Sequence, residues 1–217
     1  MADRLRARSI SPGFEPLESR TLATMVFLLS GNAFAGASPS SQTRSASIDL
    51  ASRGDRPVQL SYPAMNRPSA LIRLADQIQR LSMGQPIGLI GFSAGGTIAL
   101  RLAGISGLNV KAVLNFYGPP DLSDWLNQHA GDSAYRRVAQ NLGRNPAFIR
   151  SMSGPIITKA QVVSAFGLKD TTVVALPSTE SLQRDLQTAQ VYYYPGPHGV
   201  SVFAKCGAYA AFLEALS

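Results

Sequence analysis

The feature that most constrains this chain is a recurrence of short apolar runs, each four to six residues long, separated by stretches with helical periodicity. Runs at 25–29, 57–62, 87–92, 112–117, 161–166 and 191–194 have the length of buried strands and too little length for core helices. Strands alternating with helices predict βαβ units, hence a mostly parallel central sheet of about six strands with helices on both faces, an α/β fold. The intervening stretches fit this. Leu71, Leu74, Ala75, Ile78 and Leu81 follow i, i+3, i+4, i+7 spacing while Arg73, Asp76, Gln77 and Arg80 face away. Pro68 suits the first turn of that helix, where its missing N–H costs nothing. Residues 94–103 are small and apolar almost all round, the pattern of a helix enclosed between sheet and neighbours. At the end of the chain Val202, Phe203, Cys206, Ala210, Leu213 and Leu216 form a stripe expected to pack on the sheet. Residues 38–47 read as a polar, serine-rich connection.

Composition limits the function classes. With 217 residues, 45% hydrophobic and 15% charged, the chain can bury a continuous core. The expected organisation is a flexible or targeting segment at 1–20 and a single domain at 21–217, with a cap-like insertion at 118–154. The net charge of +7 comes from singly scattered arginines, without a basic run or an aromatic-plus-basic stripe, so nucleic acid is not an expected partner. The single cysteine, Cys206, excludes an internal disulfide or a cysteine-based zinc site and reads as a small buried residue. No run is long enough to span a bilayer, so no stable membrane insertion is expected.

The first forty residues admit two readings. Arg4, Arg6 and Arg8, an apolar run at 22–29 and the small-residue tripeptide Ala33-Phe34-Ala35 look like a secretory signal with a cleavage site. Residues 14–20 also resemble an N-terminal motif of exported bacterial proteins. Alternatively, 25–29 followed by Ser30-Gly31-Asn32 is a buried strand entering a glycine turn. The two readings exclude each other in one mature chain, and the compartment, cytoplasmic or exported, follows from which one holds. The distance from this run to 57–62 leaves room for a loop and a helix, which favours the strand.

Gly91-Phe92-Ser93-Ala94-Gly95 is a G-x-S-x-G sequence lying where a buried strand passes into a buried helix. In that context the glycines permit a strained strand-to-helix turn that holds the Ser93 hydroxyl out at the sheet edge. The helix N-terminus then aims the Ala94 N–H at a developing oxyanion. These residues resemble the nucleophile elbow of the α/β-hydrolase superfamily, in particular its small serine esterase and dienelactone-hydrolase-like groups. The resemblance runs from Met25 onward. Dienelactone hydrolases proper carry cysteine at the elbow, so Ser93 points to the esterase-like members.

The resemblance implies a Ser, Asp, His order for the triad. Residues 166–173 (FGLKDTTV) resemble the segment that supplies the acid, Asp170, and residues 194–199 (YPGPHG) the segment that supplies the base, His198. His129 is the only other histidine. Asp121 and Asp124, after the preceding strand, occupy a position from which some hydrolases draw the acid, and remain alternatives to Asp170. The second oxyanion donor is expected to be the backbone N–H of Asn32, although Ser30-Gly31-Asn32 departs from the family's glycine-rich run. Trp125, Leu126, Phe148 and Ile149 are either packing residues or the walls of an acyl or alcohol pocket, packing being the commoner role for isolated apolar residues.

The function expected is cleavage of a small-molecule carboxylic ester through an acyl-enzyme, with no cofactor and no metal. A thioesterase, amidase or peptidase would use the same triad, and a hydrolase-fold binding protein without turnover is a further alternative. Natural substrate and oligomeric state lie beyond these residues.

Overall fold

The computed structural model describes residues 23–142, 145–199 and 207–217. The expectations placed on 1–20, Val202, Phe203 and Cys206 lie outside the described residues.

Six strands form one sheet: β1 (Met25–Leu29), β2 (Arg56–Gln59), β3 (Ile87–Phe92), β4 (Val110–Phe116), β5 (Gln161–Gly167) and β6 (Gln190–Tyr194). Every pairing is parallel, in the order β2-β1-β3-β4-β5-β6. Five residues of β1 and six of β3 are all buried, as strands covered on both faces must be. Met25–Leu29 is therefore an interior strand, in register with Arg56 on one side and Ile87 on the other. β2 is shorter than the 57–62 run. Pro57, which lacks an N–H, is tolerated because β2 lies at the sheet edge, and after Leu60 the chain turns so that Tyr62 pairs antiparallel with Ala37.

Side-chain alternation splits the core in two. Phe27, Leu29, Leu89 and Val113 face one layer, containing α2 (Pro68–Ser82), α3 (Ala94–Leu102) and α7 (Ala175–Asp185). Val26, Leu28, Ile90, Leu114 and Phe116 face the other, containing α1 (Ser41–Ser52) and α8 (Gly207–Leu216). Between β4 and β5 lie three short helices, α4 (Leu122–Gln128), α5 (Ser133–Asn141) and α6 (Pro146–Ser151).

Three sequence expectations need correction. The polar stretch at 38–47 is largely helical. Ser40 caps α1 by accepting from the Thr43 N–H, the Thr43 side chain closes the box in return, and Thr43, Ala46 and Leu50 turn inward at i, i+3, i+7. In α2, Leu81 is exposed and Ser82 is buried in its place. Here Met83 adopts a left-handed conformation that ends the helix, and Leu81 falls outside the covered stripe. In α8 the buried residues are Ala208, Tyr209, Phe212 and Leu216, whereas Ala210 is exposed and Leu213 half-buried. Leu216 faces the core as expected, whereas the rest of the stripe runs through Tyr209 and Phe212 in place of Ala210 and Leu213.

The chain leaves β1 toward β2 on one side and enters β3 on the other, so the strand order reverses between β1 and β3. A crevice opens at the carboxyl ends of strands flanking such a reversal, where open α/β sheets bind their ligands. Gly31 follows β1 there, and Ser93 follows β3.

Candidate active site

Ser93 is the residue between β3 and α3, with φ 54° and ψ −128°. A non-glycine residue at positive φ is costly, of order 1–3 kcal/mol, and persists only where its surroundings enforce it. The enforcement is visible. The Ser93 N–H donates to the Phe116 carbonyl at 3.0 Å, and a Cβ on Gly91 would lie 2.2 Å from the Gly95 carbonyl oxygen, one on Gly95 2.3 Å from the Leu29 carbonyl oxygen. The two glycines thus let helix α3 press against both β1 and β3. From the other side, the loop after β1 closes on the turn. A Cβ on Gly31 would lie 2.6 Å from the Ser93 Cβ and 2.8 Å from the Ala94 nitrogen. Tyr62 holds that loop by donating its hydroxyl to the Ser30 carbonyl.

Ser93, His198 and Asp170 meet in a single hydrogen-bonded chain. Ser93 Oγ is 2.9 Å from His198 Nε2, and His198 Nδ1 is 2.8 Å from Asp170 Oδ2. The other carboxylate oxygen of Asp170 accepts from the backbone N–H groups of Thr172 and Val173, at 2.8 and 2.9 Å. The Asp170 side chain is fully buried, so these three bonds replace water around the carboxylate. The imidazole is braced as well. Tyr117 sets its ring edge-on against that of His198, with centroids 4.6 Å apart, and Gln42 Nε2 donates to the Gly199 carbonyl at 3.2 Å. Burial, aided by the nearby Asp170 charge, raises the Tyr117 phenol well above its ordinary range and keeps it neutral.

The alternative residues have other partners. Asp121 is the N-cap of α4, accepting from the Asp124 N–H at 2.9 Å and from the Gly154 N–H at 2.7 Å. Asp124 accepts from the Ser181 hydroxyl and from Arg184, which hold its carboxyl below the usual aspartate range. His129 is buried, with Nδ1 3.2 Å from Asp132 Oδ2 and its ring 4.7 Å from that of Trp125.

A cavity of about 280 Å³ opens over Ser93 and His198, walled by Ala33, Phe34, Pro119, Trp125, Val138 and Val173. Of the four apolar residues singled out at 118–154, only Trp125 lines it. Phe148 is fully buried with its ring 6.1 Å from that of Phe34, and Leu126 and Ile149 pack on the core. Asn32 is exposed and borders a neighbouring groove with Ser30 and Gly31, while Ala33 and Phe34, both at positive φ, face the cavity. The sequence carries no sign of the roles of Tyr117 and Gln42 beside His198 or of Phe34 at the cavity. Each depends on a contact between distant segments, and no local motif signals it. Among the described residues, no cluster of three or more His, Cys, Asp or Glu side chains could hold a metal ion, and no helix is long and apolar enough to cross a membrane.

The fold is that of several solved esterases. An esterase/lipase from an uncultured bacterium aligns with a TM-score of 0.68 at 13% identity, covering 89% of this chain and 75% of its own. An esterase of Pyrococcus furiosus aligns with a TM-score of 0.65 at 16% identity (89% and 81%), and a carboxylesterase from Lactobacillus plantarum with a TM-score of 0.63 at 20% identity (87% and 77%). No curated protein matches the chain in sequence. The family model of the dienelactone hydrolase family, however, matches residues 63–213, which include the elbow serine, the buried aspartate and the loop histidine. With that match over most of its length and an α/β-hydrolase sheet beneath it, the chain belongs to the dienelactone hydrolase family.

Proposed function

We propose that this protein is a serine hydrolase that cleaves carboxylic esters through an acyl-enzyme. The observation that carries the reading is the continuous Ser93–His198–Asp170 hydrogen-bond chain at the floor of an apolar cavity. Family membership and the esterase neighbours support the ester as the bond cleaved.

Ser93 Oγ attacks the ester carbonyl carbon as His198 Nε2 takes the hydroxyl proton. Asp170, held by the Thr172 and Val173 N–H groups, fixes the tautomer in which Nδ1 carries a proton and stabilises the imidazolium. The carbonyl oxygen becomes an oxyanion. The Ala94 N–H at the start of α3 and the Asn32 N–H beyond Gly31 are its donors, and the close approach of Gly31 to the Ala94 nitrogen supports the pairing of these two loops. Collapse breaks the bond to the leaving alkoxide, which takes the proton from His198. Water, deprotonated by the same imidazole, then releases the acid and restores Ser93. The chemistry requires no metal and no organic cofactor.

A fluorophosphonate probe tests the reading, since only an activated serine reacts quickly. Stoichiometric labelling of wild type at Ser93, hydrolysis of p-nitrophenyl acetate or butyrate, and loss of both in a folded Ser93→Ala variant are expected. Ester turnover undiminished in Ser93→Ala would refute the nucleophile assignment.

A further inference from the structure

We propose that Trp125 is a positioning residue for Asp170 and also the wall that fixes which acyl groups the cavity accepts, short and uncharged ones; the proposal rests on the serine-hydrolase reading above. The geometry turns on one peptide unit. The Trp125 indole N–H donates to the Thr172 carbonyl oxygen at 2.6 Å, and the N–H of the same Thr172–Val173 peptide donates to Asp170 Oδ1 at 2.9 Å. A peptide is planar and stiff, so fixing its carbonyl end fixes the direction of its N–H. A bond at the carbonyl also polarises the amide and strengthens the bond at the other end. Asp170 in turn holds His198 Nδ1. The route from Trp125 to the imidazole therefore consists of one peptide and one carboxylate.

Trp125 itself is firmly seated. It lies in α4, whose N-cap Asp121 is anchored to the Gly154 N–H, and its ring packs against that of the buried His129 at a tilt of 41°. Arg101, buried in α3, donates to the carbonyls of Gly154 and Pro120 and ties the same segment to the elbow helix. Trp125 also borders the cavity, together with Phe34, Val138 and Val173. With a volume of about 280 Å³, the cavity lies just below the usual range for small-molecule sites, about 300–1,000 Å³. Its described walls hold no lysine or arginine to pair with a carboxylate, and burying an unpaired charge there is costly. A short uncharged acyl chain meets both limits.

The experiment compares wild type, W125F and W125A on p-nitrophenyl acetate, butyrate, octanoate and the monosuccinate ester, with turnover normalised to the fraction labelled by fluorophosphonate. W125F keeps an aromatic wall, smaller than the indole, and deletes the N–H. Its kcat per labelled site is expected to fall about three- to tenfold on every ester, the equivalent of one neutral hydrogen bond, with KM within about twofold. W125A is expected to add a shift in preference from butyrate toward octanoate. Wild type is expected to discriminate against the monosuccinate. A merely structural role would lower the melting temperature and the labelled fraction while turnover per labelled site stayed unchanged, and that result in W125F would overturn the positioning role. An unchanged chain-length ranking in W125A, or in W125L should W125A fail to fold, would overturn the wall. Wild type that is neither labelled at Ser93 nor active on any ester would overturn the underlying reading and this proposal with it.

Discussion

Deleting residues 1–35, so that the chain begins at Gly36, is expected to abolish folding as well as turnover. The deletion removes β1, an interior strand that pairs with β2 on one side and β3 on the other. Val26, Phe27, Leu28 and Leu29 are completely buried and Met25 nearly so, with Val26 and Leu28 in one core layer and Phe27 and Leu29 in the other. At about 1.5–3 kcal/mol for each such side chain, the strand contributes roughly 8–15 kcal/mol of apolar burial. A domain's whole stability is about 5–15 kcal/mol. The losses also include the ladder bonds to β3 and the Gly31 contact that seats the elbow. Circular dichroism with thermal melting, limited proteolysis and an ester assay on the truncated chain would measure this. Phe27→Ala provides a graded version: a cost of about 3–5 kcal/mol, at about 2–4 °C for each kcal/mol in a chain of this size, lowers Tm by roughly 6–20 °C. A chain starting at Gly36 that melts cooperatively and turns over esters like the full chain would refute the reasoning.

Asp170→Asn should lower kcat about 10⁴-fold with little change in KM, whereas Asp121→Asn should leave kcat within a few-fold, so steady-state kinetics on the two variants separate the acid from the helix cap. Gly31→Ala would drive a Cβ to 2.4 Å from the Phe92 carbonyl oxygen and 2.6 Å from the Ser93 Cβ, so kcat should fall by at least about 10²-fold, the scale for a lost oxyanion donor, even where the melt shows the variant folded. The Asp124 carboxyl is held low first by the Ser181 hydroxyl and then by Arg184. A depressed carboxyl contributes stability that is complete above its unfolded value, near pH ~4, and is lost as pH falls through the lower folded value. Between about pH 5 and 2.5, Tm should therefore drop more steeply for wild type than for Asp124→Asn, and parallel curves would contradict the assignment.

How legible each element was depends on how local its physics is. Strands β1 and β3 were readable to the residue because both are buried on two faces, and a short uninterrupted apolar run has few other uses. The edge strand β2 ends before its apolar run does: Leu60 and Tyr62 are as apolar as strand residues, but Tyr62 serves a bridge to Ala37 instead. Helix α1 was obscured by its serines. Yet Ser40 and Thr43 are the cap that starts it, and the inward positions Thr43, Ala46 and Leu50 carried a helical period that composition alone concealed.

The candidate site divides along the same line. The elbow is a local solution to a local problem, a serine forced to positive φ between two elements that touch, so its glycines and its strand-to-helix setting are written side by side in the sequence. The aspartate and histidine each lie in the loop that follows a strand, β5 and β6 respectively, and their order along the chain is a property of the sheet. What surrounds them has no such trace. Trp125 reaches the Thr172 carbonyl across 47 residues, Gln42 reaches Gly199 across 157, and Tyr117 meets His198 only because β4 and β6 flank β5. In sequence each is an ordinary polar or aromatic residue, and the group it meets at the site does not lie at helical or strand spacing from it. The residues proposed to react are therefore readable from motif, while those that hold them at 2.8 and 2.9 Å become visible only once the sheet has brought its carboxyl ends together. Function resides in a site rather than in its fold, so the rate and substrate preference of this chain are to be sought at the side chains that wall the cavity and brace Asp170, Trp125 and Phe34 among them.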